Sequence, residues 1–134
     1  MRVLFVCIQN AGRSRMAEGF ARAAGLQARS AGSAPAAAAH PVVVQAMDEV
    51  GIDVGSRAPR TLVAADVEWA DLVVTMGCGD ACPVLPDTAF RDWQLPDPAG
   101  MDIGAVRKVR DEVARRVQAL AAEHAAPGTN PPTG

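Results

Sequence analysis

The chain has 134 residues, a size that suits one domain, and its 49% hydrophobic content is enough for one sizeable core. A formal net charge of -2 gives no general polyanion-binding surface, so nucleic acid and anionic membrane surfaces are not expected partners. No apolar stretch approaches the roughly 20 residues of a membrane span, and the chain enters a strand without a signal-peptide pattern, so a cytoplasmic protein is expected.

Val3-Leu4-Phe5-Val6 reads as a short buried strand, and Ser14 to Arg22 as the first turns of a helix that Gly25 stops. Leu26 to Ser30 can form a second strand. Alanines 36 to 39 are low complexity and read as loop. Pro41 opens a helix with Val42, Val43, Ala46, Met47 and Val50 on its apolar face and Gly51 at its end. Residues 62 to 69 suit a short helix, and 71 to 76 a third strand. Residues 77 to 87 carry two glycines, two prolines and two cysteines, the pattern of a mobile loop with one helical turn. Phe90 to Trp93 is the fourth candidate strand, and Leu95-Pro96-Asp97-Pro98 a rigid loop. Ile103 to His124 reads as a long helix, with Val106, Val109, Val113, Val117 and Leu120 at three- and four-residue steps. One domain over residues 1–126 is expected, with 127–134 a disordered tail. Strands alternating with helices imply an α/β single-domain three-layer sandwich whose ligands bind outside the carboxyl ends of parallel strands. Cys7, Cys78 and Asp97 all follow strands and are expected on one rim.

The segment between the first strand and the first helix carries the chemistry. Unpaired amides of Ile8, Gln9, Asn10, Ala11, Gly12, Arg13 and Ser14 can converge on a bound oxyanion, helped by the helix dipole. A cysteine there meets amides, a guanidinium and a hydroxyl, all of which favour the thiolate, so Cys7 is the expected nucleophile. Arg13 offers a planar fork for two ligand oxygens and for charge that builds in the transition state. Ser14 is placed to bond the Cys7 sulfur while helping to cap the helix. A buried cysteine at a strand end is common in itself; the strand, the Cys-x5-Arg-Ser spacing and the helix in register favour the functional reading.

Attack by a thiolate on an oxyanion expels an oxygen, which leaves more easily with a proton, and Asp97 is the candidate acid. Its flanking Pro96 and Pro98 restrict the backbone, although Asp-Pro also occurs in ordinary turns. Three cysteines in the chain, an odd number, point to thiol chemistry rather than a disulfide framework. Zinc usually takes four ligands, and besides Cys7, Cys78 and Cys82 only His40 and His124 remain, so no metal is expected. Cys78 and Cys82 read as a redox pair. On a regular helix, side chains four apart are wider than a disulfide requires, so segment 77–87 is expected to change conformation with redox state.

The motifs Cys7-x5-Arg13-Ser14, Met16-Ala17-Glu18-Gly19, Ser30-Ala31-Gly32, Val73-Val74-Thr75 with Cys78 and Cys82-Pro83, and Asp97-Pro98-Ala99-Gly100 together resemble a known family. It is that of the arsenate reductases built on the low-molecular-weight protein tyrosine phosphatase fold. The resemblance spans nearly the whole chain. It implies a four-stranded parallel sheet and a relay. Cys7 attacks arsenate, for which phosphate and sulfate are analogues, while Arg13 and the loop amides hold the oxygens and Asp97 protonates the one that leaves. Cys78 then attacks Cys7 and releases arsenite, and Cys82 attacks Cys78. Thioredoxin, or another thiol reductant such as glutaredoxin or mycothiol, would reduce the resulting pair.

Two departures accompany the resemblance. Only three residues separate Cys78 from Cys82, a shorter interval than in the best-known thioredoxin-coupled relatives. Relatives also bind potassium near the first loop, and Asn10, Glu18 and Ser30 match part of that site. Where a further acidic ligand is expected, this chain reads Arg57-Ala58-Pro59-Arg60, so no cofactor is expected. A tyrosine phosphatase is the alternative activity. Such relatives usually place an aromatic residue after Asp-Pro, where this chain has Ala99, and the chain contains no tyrosine.

Overall fold

The computed structural model describes residues 1–76 and 89–125. The expected redox loop with Cys78 and Cys82, and the expected tail 127–134, lie outside the described residues. The elements follow in the order β1 (Arg2–Cys7), α1 (Arg13–Ala23), β2 (Gln27–Gly32), α2 (Pro41–Asp48), α3 (Ala64–Trp69), β3 (Leu72–Thr75), β4 (Ala89–Asp92) and α4 (Ile103–Ala125). The four strands form one sheet in the order β2-β1-β3-β4, and every pair is parallel.

Alternation along β1 divides the core in two. Val3, Phe5 and Cys7 face a large cluster with Met16, Ala17 and Ala21 of α1, Val43, Ala46 and Met47 of α2, and the valines of α4. Leu4 and Val6 face the opposite side, with Val73 and with Val67 of α3. A parallel strand covered on both faces has no polar side to show, which is why β1 reads as an unbroken apolar run. The expected three-layer sandwich and four-stranded parallel sheet are what the structure has.

Several boundaries shift for identifiable reasons. β2 continues to Gly32, because its register with β1 runs on to the pair Cys7 and Gly32. The helix begun by Pro41 ends at Asp48, and the chain then turns through Gly51, whose φ of 77° suits glycine. α4 starts where the Asp102 carboxylate accepts the Ala105 N–H at 2.8 Å, an N-terminal cap that the apolar spacing alone did not reveal. In α3 the Asp66 carboxylate likewise accepts the Val63 N–H at 3.2 Å. Among the described residues no helix is long and apolar enough to cross a membrane.

Sheet topology sets the site. β1 is central, so its carboxyl end at Cys7 lies between the ends of β2 and β3. The Met76 N–H bonds Val6 O at 2.9 Å, so the described chain leaves β3 beside the residue preceding Cys7. Beyond β4, Trp93 packs its ring 5.8 Å from that of Phe5, which draws the segment 93–98 over the same rim.

Candidate active site

The loop from Cys7 to α1 is shaped by where its carbonyls go. Ser33 N–H bonds Cys7 O at 3.3 Å, Ala34 bonds Ile8 O at 2.8 Å, Ala36 bonds Gln9 O at 2.9 Å and His40 bonds Ala11 O at 3.0 Å. The segment after β2, including the alanine run, is therefore a buttress that turns the loop's carbonyls outward. In the described residues, no turn or loop carbonyl accepts the N–H of any residue from Ile8 to Ser14; the first to be taken is that of Met16, by Gly12 O at 3.0 Å. The inward face of the loop is left with amide donors at a helix N-terminus, the arrangement that binds oxyanions.

Two glycines make that geometry possible. A Cβ on Gly32 would stand 2.6 Å from Ile8 O and 2.9 Å from Asn10 N, both backbone atoms. One on Gly12 would stand 2.7 Å from Pro98 Cγ, so the Asp97-Pro98 segment packs directly on the loop.

Asn10 adopts φ of 51°, a left-handed conformation that asparagine tolerates better than most residues. Its amide is fully engaged. Nδ2 donates to Ser14 Oγ and to Ser30 Oγ, both at 2.9 Å, while Oδ1 accepts the Arg60 N–H at 3.0 Å. Ser14 Oγ thus already accepts a hydrogen from Asn10, and its own is free to point at Cys7 Sγ, 2.9 Å away. Ser30 Oγ, likewise an acceptor from Asn10, donates to Glu18 Oε1 at 2.6 Å. Directions along Glu18, Ser30, Asn10, Ser14 and Cys7 are mutually consistent, and the chain ends in a donor aimed at sulfur. A hydroxyl in that position stabilises a thiolate as an acceptor.

Ser14 does not cap the helix. α1 begins at Arg13 with Gly12 as its N-cap, a residue with no side chain to cap the helix, and Ser14, already inside the first turn, commits its hydroxyl to Cys7 and Asn10. The sequence reading of a shared capping role is corrected on this point.

Arg13 is buried, and one end of its guanidinium donates to Leu95 O at 3.1 Å. The other end lies 3.8 Å from Asp97 Oδ2. Asp97 is half exposed, and its Oδ1 accepts the Ala99 N–H at 3.0 Å, a local turn that fixes the carboxylate over the loop mouth. The structure therefore brings Cys7, Asn10, Arg13, Ser14 and Asp97 together, with the amides of Ile8, Gln9, Ala11 and Gly12 between them. Cys78 and Cys82 lie outside the described residues.

Four arginines to which the sequence reading gave no part in the site lie behind it. Arg57 Nη2 and Arg22 Nη2 stand 2.8 and 2.7 Å from Glu18 Oε2. Arg60 donates to Ser30 O at 2.8 Å and pairs with Asp66. Arg15, itself buried, donates to Val54 O at 2.8 Å and to the carbonyls of Arg57 and Ala58, so it holds the segment that carries Arg57. Burial pulls the Arg15 guanidinium below its ordinary value, with Glu18 acting in the opposite direction.

Residues 2–127 match the family model described as low molecular weight phosphotyrosine protein phosphatase. The chain belongs to this family. Within the low molecular weight phosphatase family it is similar to proteins named as reductases. A putative arsenate reductase of Halobacterium salinarum is 37% identical over 121 residues, covering 84% of this chain and 85% of that protein. The glutaredoxin arsenate reductase of Synechocystis is 36% identical over 127 residues, covering 91% of this chain and 97% of that protein. Among solved structures, the thioredoxin-dependent arsenate reductase of Corynebacterium glutamicum superposes with a TM-score of 0.78 at 36% identity. That match covers 91% of this chain and 60% of the longer Corynebacterium chain.

Proposed function

We propose that this low molecular weight phosphatase family member is an arsenate reductase. The observation that carries the reading is the Ser14 hydroxyl aimed at Cys7 Sγ from 2.9 Å, at the base of a loop whose inward face offers amide hydrogens. The two further cysteines in the sequence and the naming of the similar proteins favour reduction over phosphate-ester hydrolysis.

In the first step Cys7 thiolate forms a sulfur–arsenic bond with arsenate, and a bond from arsenic to one oxygen breaks. Asp97 in its protonated form gives its proton to that oxygen, which departs as water. Arg13 and the loop amides carry the negative charge of the remaining oxygens. In the second step Cys78 thiolate attacks Cys7 Sγ. The sulfur–arsenic bonding pair passes to arsenic, which falls from the pentavalent to the trivalent state and leaves as arsenite, while a Cys7–Cys78 disulfide forms. Cys82 thiolate then attacks Cys78, freeing Cys7 as thiolate and leaving a Cys78–Cys82 disulfide. An external dithiol, oxidised to its own disulfide, or two molecules of a monothiol joined as one disulfide, returns two electrons. Thioredoxin is our first choice of donor, with glutaredoxin or mycothiol as the alternative in view of the short Cys78–Cys82 interval. Each of these donors belongs to a reducing compartment, in keeping with the cytoplasmic reading.

The decisive experiment measures arsenite formation and aryl-phosphate hydrolysis side by side, with thioredoxin, glutaredoxin and mycothiol systems supplied separately. Arsenite turnover with one of them is expected. Hydrolysis with no arsenite under any donor would instead identify a phosphatase.

A further inference from the structure

The buried network behind the oxyanion loop ends in a carboxylate that needs a cation. Glu18 is 3% exposed, and one of its oxygens is taken by Ser30. The family resemblance implies a potassium ion here, and the residues do not fit one. Every oxygen that would ligate it already has a protein donor: Glu18 Oε2 faces Arg57 and Arg22, Asn10 Oδ1 accepts the Arg60 N–H, and Ser30 O accepts Arg60 Nη1.

We propose that Arg57 is a positioning residue that acts as a built-in cation beneath the oxyanion loop and makes the protein independent of potassium. Arg22 reaches Glu18 from the next turn of the same helix and divides its donors between that carboxylate and Ala28 O, at 3.1 and 3.0 Å. Arg57 comes from a segment 39 residues away, and the Arg15 clamp fixes that segment's backbone. The positive charge is therefore delivered by the fold, as a bound ion would be.

Its effect on the site follows from hydrogen-bond direction. A carboxylate facing guanidinium groups can only accept, so Ser30 must donate to Glu18 and must accept from Asn10. That sets the Asn10 amide with Nδ2 toward Ser14 and Oδ1 toward the Arg60 N–H, and leaves the Ser14 hydrogen for Cys7. Removing the Arg57 charge, or reversing its sign, leaves Glu18 with Arg22, whose donors are shared with Ala28 O, and so weakens the reason for that direction. A cavity of about 170 Å³ lined by Glu18, Ser30 and four arginines, Arg57 among them, leaves room for a small ion once the Arg57 side chain is shortened.

The test uses thermal melting and phosphate binding by calorimetry, in potassium, sodium and choline chloride at equal ionic strength. Neither readout depends on whether the bound anion is reduced or hydrolysed, so failure here is separable from failure of the reductase reading. Wild type is expected to give the same melting temperature and phosphate affinity in all three salts. Arg57→Asp should melt lower and bind phosphate on the order of tenfold more weakly in choline, with potassium restoring both. Arg57→Lys should remain indifferent to the salt. A wild type selectively stabilised by potassium would overturn the proposal, even if Arg57→Asp proved too unstable to purify. So would an Arg57→Asp protein unaffected in every salt, or one impaired equally in all three, which marks a merely structural ion pair.

Discussion

Arg13 faces Asp97 across the mouth of the oxyanion loop, 3.8 Å from guanidinium nitrogen to carboxylate oxygen, while its other end is anchored on Leu95 O at 3.1 Å. The anchor matters because it turns a flexible side chain into a fixed fork. Phe5 against Trp93 brings the 93–98 segment over β1, that segment supplies the carbonyl that orients Arg13, and two residues later it supplies the acid. Anion grip and proton donor are thus positioned by one stretch of chain.

Replacing Asp97 by asparagine keeps the shape and the turn but removes the transferable proton. The expected result is a fall in kcat of roughly 10²-fold or more, the usual worth of a positioned general acid, with a much smaller change in KM for arsenate. Steady-state kinetics separate the two. An unchanged kcat would remove Asp97 from the chemistry and leave it as a turn residue.

The contiguous part of the site was legible in the sequence because its parts are neighbours along the chain. The apolar run of β1, the Cys7 to Ser14 loop and the first turns of α1 follow one another, and each has a local signature. The spacing of the α4 valines and the strand ends carrying Cys7 and Asp97 could be read in the same way. What stayed hidden depends on backbone partners or distant side chains. Alanines 36 to 39 looked like low-complexity loop because the 33–40 segment contributes four N–H groups, which any residue except proline provides. Ser14 looked like a cap because its competing partners, Cys7 and Asn10, are assigned only once the loop has closed. Arg57 was seen only as the absence of an acid. A glutamate on the buried face of α1, with Arg22 one turn on also reaching for Ala28 O, was the signal that could have found it.

Ser14→Ala tests the hydroxyl between Asn10 and Cys7. The substitution leaves one hydrogen of the buried Asn10 amide without an acceptor, a cost of about 1–3 kcal/mol in stability. It also deprives Cys7 of a donor, so alkylation of Cys7 by iodoacetamide near neutral pH should slow, as followed by mass spectrometry of the Cys7 peptide. Equal alkylation rates in the two proteins would show that the 2.9 Å contact has no influence on the sulfur.

Gly32 and Gly25 offer a matched pair. At Gly32 a methyl group would meet Ile8 O at 2.6 Å and Asn10 N at 2.9 Å, and neither backbone atom can swing aside. Gly25 has φ of 88° with nothing within 4 Å of the added carbon, so alanine there suffers only backbone strain. Both variants should lose about 1–3 kcal/mol in denaturant unfolding. Only Gly32→Ala should also weaken phosphate binding, because it displaces the loop. Equal phosphate affinity in the two variants would contradict the buttress role of the segment after β2.

Cys82→Ser addresses the order of thiol exchange. If Cys82 acts last, the first two steps survive its loss, and a rapid-quench experiment should find one arsenite released per enzyme, followed by arrest in the Cys7–Cys78 disulfide form. Sustained turnover of the variant with a low-molecular-weight thiol would mean that the external donor attacks before Cys82.

The Glu49 contacts provide a pH-dependent element remote from the loop. Hydrogen bonds from Arg107 and, beyond them, from Arg110 hold the Glu49 carboxyl at about 2 against an ordinary 4.5, tying the end of α2 to α4. A carboxylate whose value is depressed on folding stabilises the fold above its unfolded value, and the gain fades as pH falls toward the folded one. Wild type should therefore melt above Glu49→Gln at neutral pH. That difference should hold down to about 4.5 and shrink progressively toward 2. The pair is exposed, so added salt should narrow the neutral-pH difference as well. Melting curves across that range, at low and high salt, provide the check, and a difference that stayed constant with pH would assign the effect of the substitution to packing instead of charge.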